Sequence, residues 1–135
     1  MICLDTNVVI AVLKGGPPQL VDRFEHELSR NALALPVIVL YELRYGIAKS
    51  ARREENTERL EVFLQAPIAV LPFDPEDAEE AGDIRAALHR AGTPIGPYDI
   101  LIAAQARRRS ALLVTANRGE FSRMPGLRTE NWAAA

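Results

Sequence analysis

Met1-Ile2-Cys3-Leu4-Asp5-Thr6-Asn7-Val8-Val9-Ile10 opens the chain and carries a carboxylate inside an apolar run. Ile2 to Leu4 is too short for a helix and reads as a buried strand, while Thr6 and Asn7 are residue types that break a strand and cap the next element. Asp5 therefore stands at a strand's carboxyl end. In open parallel sheets that edge collects ligands, because the connecting loops splay apart there and leave a crevice. A charge left alone in such a place costs several kcal/mol, so Asp5 needs a cation, a hydrogen-bond partner or water. The plain structural alternative is a cap on the adjoining helix.

Outward from this segment, helical and strand-like stretches alternate. Val8 to Leu13 reads as a short helix ending at Gly15-Gly16-Pro17-Pro18, and Gln19 to Arg30 carries Leu20, Phe24 and Leu28 at helical spacing. Ala32 to Leu35 reads as a strand, and Pro36 suits the first turn of a helix running to about Lys49. Glu54 to Gln65 is a charged helix, Ile68 to Phe73 a strand, and Asp74-Pro75 opens a helix to about Ala91. The loop Gly92-Thr93-Pro94-Ile95-Gly96 precedes an almost wholly apolar helix from Pro97. Ala111 to Thr115 is a strand, Asn117-Arg118-Gly119 a turn, and Leu127 to Thr129 an edge strand. Strands alternating with helices, without hairpin signals, predict a mostly parallel sheet covered on both faces.

The 135 residues suit a single domain, 1–135, and the formal charge of −2 excludes a broadly basic nucleic-acid coat. Charge is nonetheless polarised: Glu76, Asp77, Glu79, Glu80 and Asp83 crowd one stretch, and Arg107, Arg108, Arg109, Arg118, Arg123 and Arg128 another. The lone Cys3 excludes an internal disulfide and a cysteine-based zinc site, and reads as a core residue. Without a basic leader or an apolar run of transmembrane length, a cytoplasmic protein with no membrane contact is expected.

Three further polar residues are misplaced for plain solubility. Glu42 interrupts Val37-Ile38-Val39-Leu40-Tyr41 and Leu43, and one turn later Gly46 is costly in a helix interior, as close packing or substrate approach would explain. Asp99 falls in the first turn of the apolar helix from Pro97, where the helix dipole favours its ionised form. If the strand near Ala111 lies beside the first, Asn117 emerges at the edge that carries Asp5, within reach of Glu120. Each of these acids also has an ordinary reading as a solvated or helix-starting residue. Together, Asp5, Glu42, Asp99 and an oxygen from Asn117 or Glu120 suit a hard divalent cation such as magnesium, which keeps several waters. Such an ion activates water and stabilises phosphate charge without a histidine or serine nucleophile, which fits a phosphodiesterase.

Taken in order, Leu4-Asp5-Thr6-Asn7, Tyr41-Glu42-Leu43-Arg44-Tyr45-Gly46, Pro97-Tyr98-Asp99-Ile100-Leu101-Ile102-Ala103-Ala104 and Leu113-Val114-Thr115-Ala116-Asn117 resemble the PIN-domain family, more narrowly the VapC-type toxins of bacterial toxin–antitoxin pairs. The ending Glu120-Phe121-Ser122-Arg123 through Trp132 resembles a subgroup of these toxins. The resemblance implies a three-layer α/β sandwich, PIN-like and Rossmann-like, acting as a metal-dependent endoribonuclease with Mg2+, for which Mn2+ substitutes. Asp5, Glu42 and Asp99 match the acidic residues, with Thr6, Asn7 and Thr115 as supporting polar groups. Where relatives often carry a fourth acid, this chain has Asn117, and Glu120 is the substitute. The family also implies a homodimer, a VapB-type antitoxin and structured RNA as substrate, the subgroup pointing to the anticodon loop of initiator tRNA. Arg44, Arg118 and Arg123 are the expected RNA contacts, with Lys49 and Arg52 as outer phosphate contacts.

Other classes fit less well. A receiver-like domain would show an acidic pair after the first strand and a lysine after a late one, whereas the only lysines are Lys14 and Lys49. An aspartyl-nucleophile phosphatase would carry an acid where Asn7 stands. A catalytically degenerate fold that binds antitoxin or RNA without cutting is motivated by the neutral Asn117.

Overall fold

The computed structural model describes residues 1–134, so that Ala135 of the expected 1–135 domain lies outside the described residues. Five strands, β1 (Ile2–Leu4), β2 (Leu33–Pro36), β3 (Ala69–Leu71), β4 (Leu112–Val114) and β5 (Arg128–Glu130), form one wholly parallel sheet in the order β3-β2-β1-β4-β5. The chain builds outward from β1 to one edge and then returns to build the other half. The direction of winding therefore reverses between β1 and β4, and that switch point opens a crevice at the carboxyl ends of those two strands.

The described helices are α1 (Thr6–Leu13), α2 (Pro18–Ser29), α3 (Val37–Ala48), α4 (Arg53–Leu64), α5 (Pro75–Arg90), α6 (Pro97–Arg108) and α7 (Arg118–Phe121). Right-handed crossovers place helices made before the reversal on one face and those made after it on the other. Packing agrees in the main, with α1 meeting α2, α3 and α4 and α5 running along α6, while α3 also touches α6. The expected three-layer α/β sandwich is what forms. Its central strands are short and apolar, with all four residues of β2 buried, while the edge strand β3 buries only Leu71. Cys3 is fully buried as expected, and burial pushes its thiol up to about 11. No helix of the described residues is long and apolar enough to cross a membrane.

Several boundaries differ from expectation for local reasons. Pro36 closes β2 opposite Leu71 instead of starting a helix, its extended backbone (ψ 136°) suiting a strand end. Pro72 stops β3 early, since it has no N–H for the ladder. Thr6 and Asn7 lie inside α1, and the residue that caps it is Asp5. The expected turn at Asn117-Arg118-Gly119 is instead the start of the one-turn helix α7.

Charge polarisation along the chain is resolved where α5 lies against α6. The capping box of α5 joins Asp74 and Asp77, and Asp77 is fully buried. Its Oδ1 accepts from Arg108 Nε at 2.7 Å and Arg109 Nη1 at 2.8 Å, while Arg108 also bonds Asp74 and Glu76. Arg107 pairs with Glu80. Burial opposes the charge on Asp77, but the bonds from Arg109 and Arg108 outweigh it and hold the carboxyl at about 2. The arginine run is thus bound up inside the fold, not displayed to a ligand.

Candidate active site

The switch-point crevice receives one acidic side chain from each of four separate segments. Asp5 follows β1 and is 7% exposed. Its backbone N–H bonds the carbonyl of Val114 on β4, continuing the ladder by one step. The Asp5 Oδ1 accepts from the Thr6 N–H at 2.8 Å and its Oδ2 from the Thr115 hydroxyl at 2.7 Å. The Thr115 oxygen in turn accepts from the Asn117 N–H at 2.9 Å, which leaves its single proton directed at Asp5. Asp5 thus caps α1 with one oxygen and accepts from Thr115 with the other, so capping does not exhaust its bonding. Burial raises its pKa above 3.8, opposed by the Thr115 and Thr6 bonds and assisted by the Glu120 charge.

Thr6 ties the second acid to the first. Its hydroxyl donates to Glu42 Oε1 at 2.7 Å, across 36 residues of chain. Glu42 is half-buried on α3, so it is not the free surface acid that helix periodicity alone would allow. Asn7, grouped with Thr6 from sequence, is exposed, and no hydrogen bond joins its side chain to the site among the described residues. Replacing Thr115 by valine removes both the donor to Asp5 and the acceptor for Asn117 in a fully buried position. A loss of about 1–3 kcal/mol in urea unfolding is expected; unchanged stability would show that Asp5 does not need this bond.

Asp99 enters from the first turn of α6, behind Gly96 at the helix N-cap. Burial pushes its carboxyl up to about 7, helped by a hydrogen bond with Glu120 and by the charges of Asp5, Glu120 and Glu42. Glu120, from α7, moves the opposite way. Its pKa is lowered chiefly by the bond from Asp99, with further help from the Gly96 N–H, the Asn117 amide and the Arg123 charge. Of the two, Asp99 keeps its proton to the higher pH and Glu120 ionises first. Asn117, half of the alternative posed by the sequence, spends its Nδ2 on Glu120 Oε2 and faces water. The carboxylate facing Asp99 is that of Glu120.

These hard oxygen donors fit a divalent cation in charge and type, since four carboxyl groups share one crevice with no basic side chain of the described residues among them. Among the described residues, no three His, Cys, Asp or Glu side chains are gathered tightly enough to hold an ion by themselves. Magnesium suits such a site, because it retains waters and takes few protein ligands.

The expected RNA contacts are spread more widely. Arg123 borders the site: it lies by Glu120 and reaches the Pro94 carbonyl at 3.5 Å. Arg44 is exposed but paired with Glu61 at 2.8 Å. Arg118 lines a separate open depression with Gln19, Asp22, His26 and Trp132. Lys49 sits over the Tyr45 ring, and Arg52 pairs loosely with Glu55. Gly46 is not explained by close packing, as a methyl there would meet nothing within 4 Å; it borders a groove lined by Ile10, Leu13, Ile47 and Arg59.

Two features are not apparent from the sequence. Gly96 offers its N–H to Glu120 Oε1 at 3.4 Å, and a methyl there would lie 3.6 Å from Asp99 Oδ2. Tyr41 and Tyr98, which directly precede Glu42 and Asp99, meet at the rim with ring centroids 5.4 Å apart. Repetition of an aromatic before an acid was the available signal.

Comparison with known proteins agrees with this geometry. Residues 2–127 match the PIN domain family model. The chain is 42% identical over 130 residues to the tRNA(fMet)-specific endonuclease VapC of Shigella flexneri and 43% identical over 129 residues to that of Salmonella typhimurium, in each case spanning 96% of both chains. A crystal structure of VapBC2 from Rickettsia felis bound to a DNA fragment from their promoter superposes with a TM-score of 0.91 at 36% identity, covering 98% of this chain and 99% of that one. The chain belongs to the PIN-domain family, in its VapC branch.

Proposed function

We propose that this chain is the toxin of a type II toxin–antitoxin pair, a magnesium-dependent endoribonuclease that hydrolyses a phosphodiester in the anticodon loop of initiator tRNA. Manganese would substitute for magnesium. The observation that carries the nuclease reading is the convergence of Asp5, Glu42, Asp99 and Glu120 from four separate segments on one crevice, tied together through Thr115, Thr6 and the Gly96 N–H. A fold has no structural need for such crowding, and it is what hard-cation chemistry uses. Similarity to VapC proteins named as tRNA(fMet)-specific endonucleases supports the choice of RNA.

Asp5, Glu42 and Asp99 would hold the ion, with Glu120 as the fourth acid and Asn117 steadying it. Bound there, the ion would lower the pKa of water and offset charge on the phosphate. The chain's own residues do the rest. Thr115 fixes Asp5 and Thr6 fixes Glu42, each by a hydrogen bond of 2.7 Å. Asp99 gives up its proton before it can act as a ligand. Glu120, its oxygens held by the Gly96 N–H and the Asn117 amide, would add the fourth negative charge beside Asp99. Arg123 and, on release from Glu61, Arg44 meet the flanking phosphates.

A VapB-type antitoxin, supported by similarity to the Rickettsia felis VapBC2 complex, completes the proposal together with a homodimer, the antitoxin covering the acidic crevice. In the test, purified protein freed of antitoxin is given total RNA with magnesium, manganese or a chelator, and cut ends are mapped in cells after induction. Cutting confined to initiator tRNA and lost with chelator is expected. Cutting elsewhere would refute the substrate. Complete inertness with metal would favour the binding-only alternative that the neutral Asn117 suggests.

A further inference from the structure

All three tyrosines of the chain stand in water: Tyr41 is 50% exposed, Tyr45 59% and Tyr98 44%. By contrast Phe24, Phe63, Phe121 and Trp132 are buried. Tyr41 comes from α3 and Tyr98 from α6, yet their rings touch with 52° between planes and hydroxyls 3.4 Å apart. Because each is joined directly to a site acid, Glu42 or Asp99, the pair is fixed to the crevice rim. One turn along α3, Tyr45 carries the Lys49 ammonium 4.8 Å from its ring centre.

We propose that Tyr41 and Tyr98 form a stacking platform for an unpaired RNA base beside the scissile phosphate, continued outward by Tyr45 and Lys49. This rests on the ribonuclease reading and adds how the substrate is gripped. The net charge is −2, and Arg107, Arg108 and Arg109 are consumed by α5. Arg123 and Arg44 are then among the few cations left for the flanking phosphates, and uncharged contacts must supply part of the affinity. Bases splayed from a loop supply them by stacking on aromatic rings, a contact that tolerates any base. The two rings already touch, so the base lies on the outer face of the pair. Two half-exposed tyrosines present on the order of 200 Å2. That suits one base and falls well short of the roughly 800 Å2 each partner buries in a stable protein interface.

The test uses cleavage-blocked Asp5→Asn protein and an anticodon stem–loop RNA carrying 2-aminopurine at each unpaired position in turn. One position is expected to be quenched on binding. Adding Tyr41→Leu or Tyr98→Leu should remove that quench and weaken binding about tenfold, the loss of one base stack, whereas Tyr98→Phe keeps both. With Asp5 intact, Tyr98→Leu should raise KM by a similar factor and leave kcat nearly unchanged. Circular dichroism and sedimentation accompany every variant; both positions are exposed enough for the fold to tolerate the change, and either variant suffices. Quench and KM like those of the parent overturn the platform. So does an unaltered quench with a dimer turned to monomer, which would make the pair a face between copies. The ribonuclease reading fails separately, if the intact protein neither cuts nor binds the RNA.

Discussion

Asp99→Asn is expected to lower RNA cleavage by at least about a hundredfold, because losing an outer partner of a metal ligand already costs about 10–100-fold. The same change should make the metal-free protein more stable above neutral pH. Folding raises the Asp99 carboxyl from 3.8 to about 7, so the folded state binds its proton more tightly than the unfolded chain. The associated stability is fully present below 3.8 and is lost as the pH rises through about 7. An asparagine amide mimics the protonated acid: it donates to Glu120 without a charge to lose. Asp99 is only half-buried, so water screens much of the effect, and a gain of roughly 1 kcal/mol is expected. In thermal melts at pH 8 with chelator, Asp99→Asn should therefore exceed wild type by about 3–5 °C. Magnesium should close the gap from the wild-type side, and wild-type activity at limiting magnesium should fall as the pH drops below 7, where the proton competes for Asp99. A variant that melts lower than wild type under these conditions would show that no electrostatic crowding exists at the site.

Asp77→Ala is expected to be the most damaging single change outside the site. Asp77 is fully buried and accepts from Arg108, from Arg109 and, through Oδ2, from the Asp74 N–H at 3.0 Å. Removing it leaves two largely buried guanidinium groups short of a counter-charge and breaks the α5 capping box, at a cost of about 3–5 kcal/mol. A domain of this kind has only about 5–15 kcal/mol in total. The urea midpoint should fall accordingly. In wild type the carboxyl sits at about 2 rather than 3.8, so its contribution is present above 3.8 and is lost as the pH falls through about 2. A loss below about 1 kcal/mol would mean that Asp74 and Glu76 suffice for both arginines.

Much of this molecule is legible in local pattern. Alternating short apolar runs and amphipathic stretches announce a covered parallel sheet, and an aspartate at the end of the first run marks the sheet edge that matters. The adjacency of β1 and β4, conditional from sequence, is met in the strand order, and it brings Thr115 and the Asn117 segment to Asp5. Other features were hidden because both partners look ordinary in isolation. Arg107-Arg108-Arg109 resembles a helix-ending basic run and is in fact the counter-charge of α5. Glu120 resembles a loop acid until the backbone of Gly96 and the amide of Asn117 turn it towards Asp99.

Residue types and their spacing determined which groups could do chemistry here and which element each rides on, since helix and strand signals act within a few residues. Only the tertiary structure decided which acid keeps its proton, which arginines remain available and where aromatic rings meet the crevice. Those outcomes depend on burial and on distances between groups 24 to 110 positions apart, and no local pattern in the chain encodes either quantity.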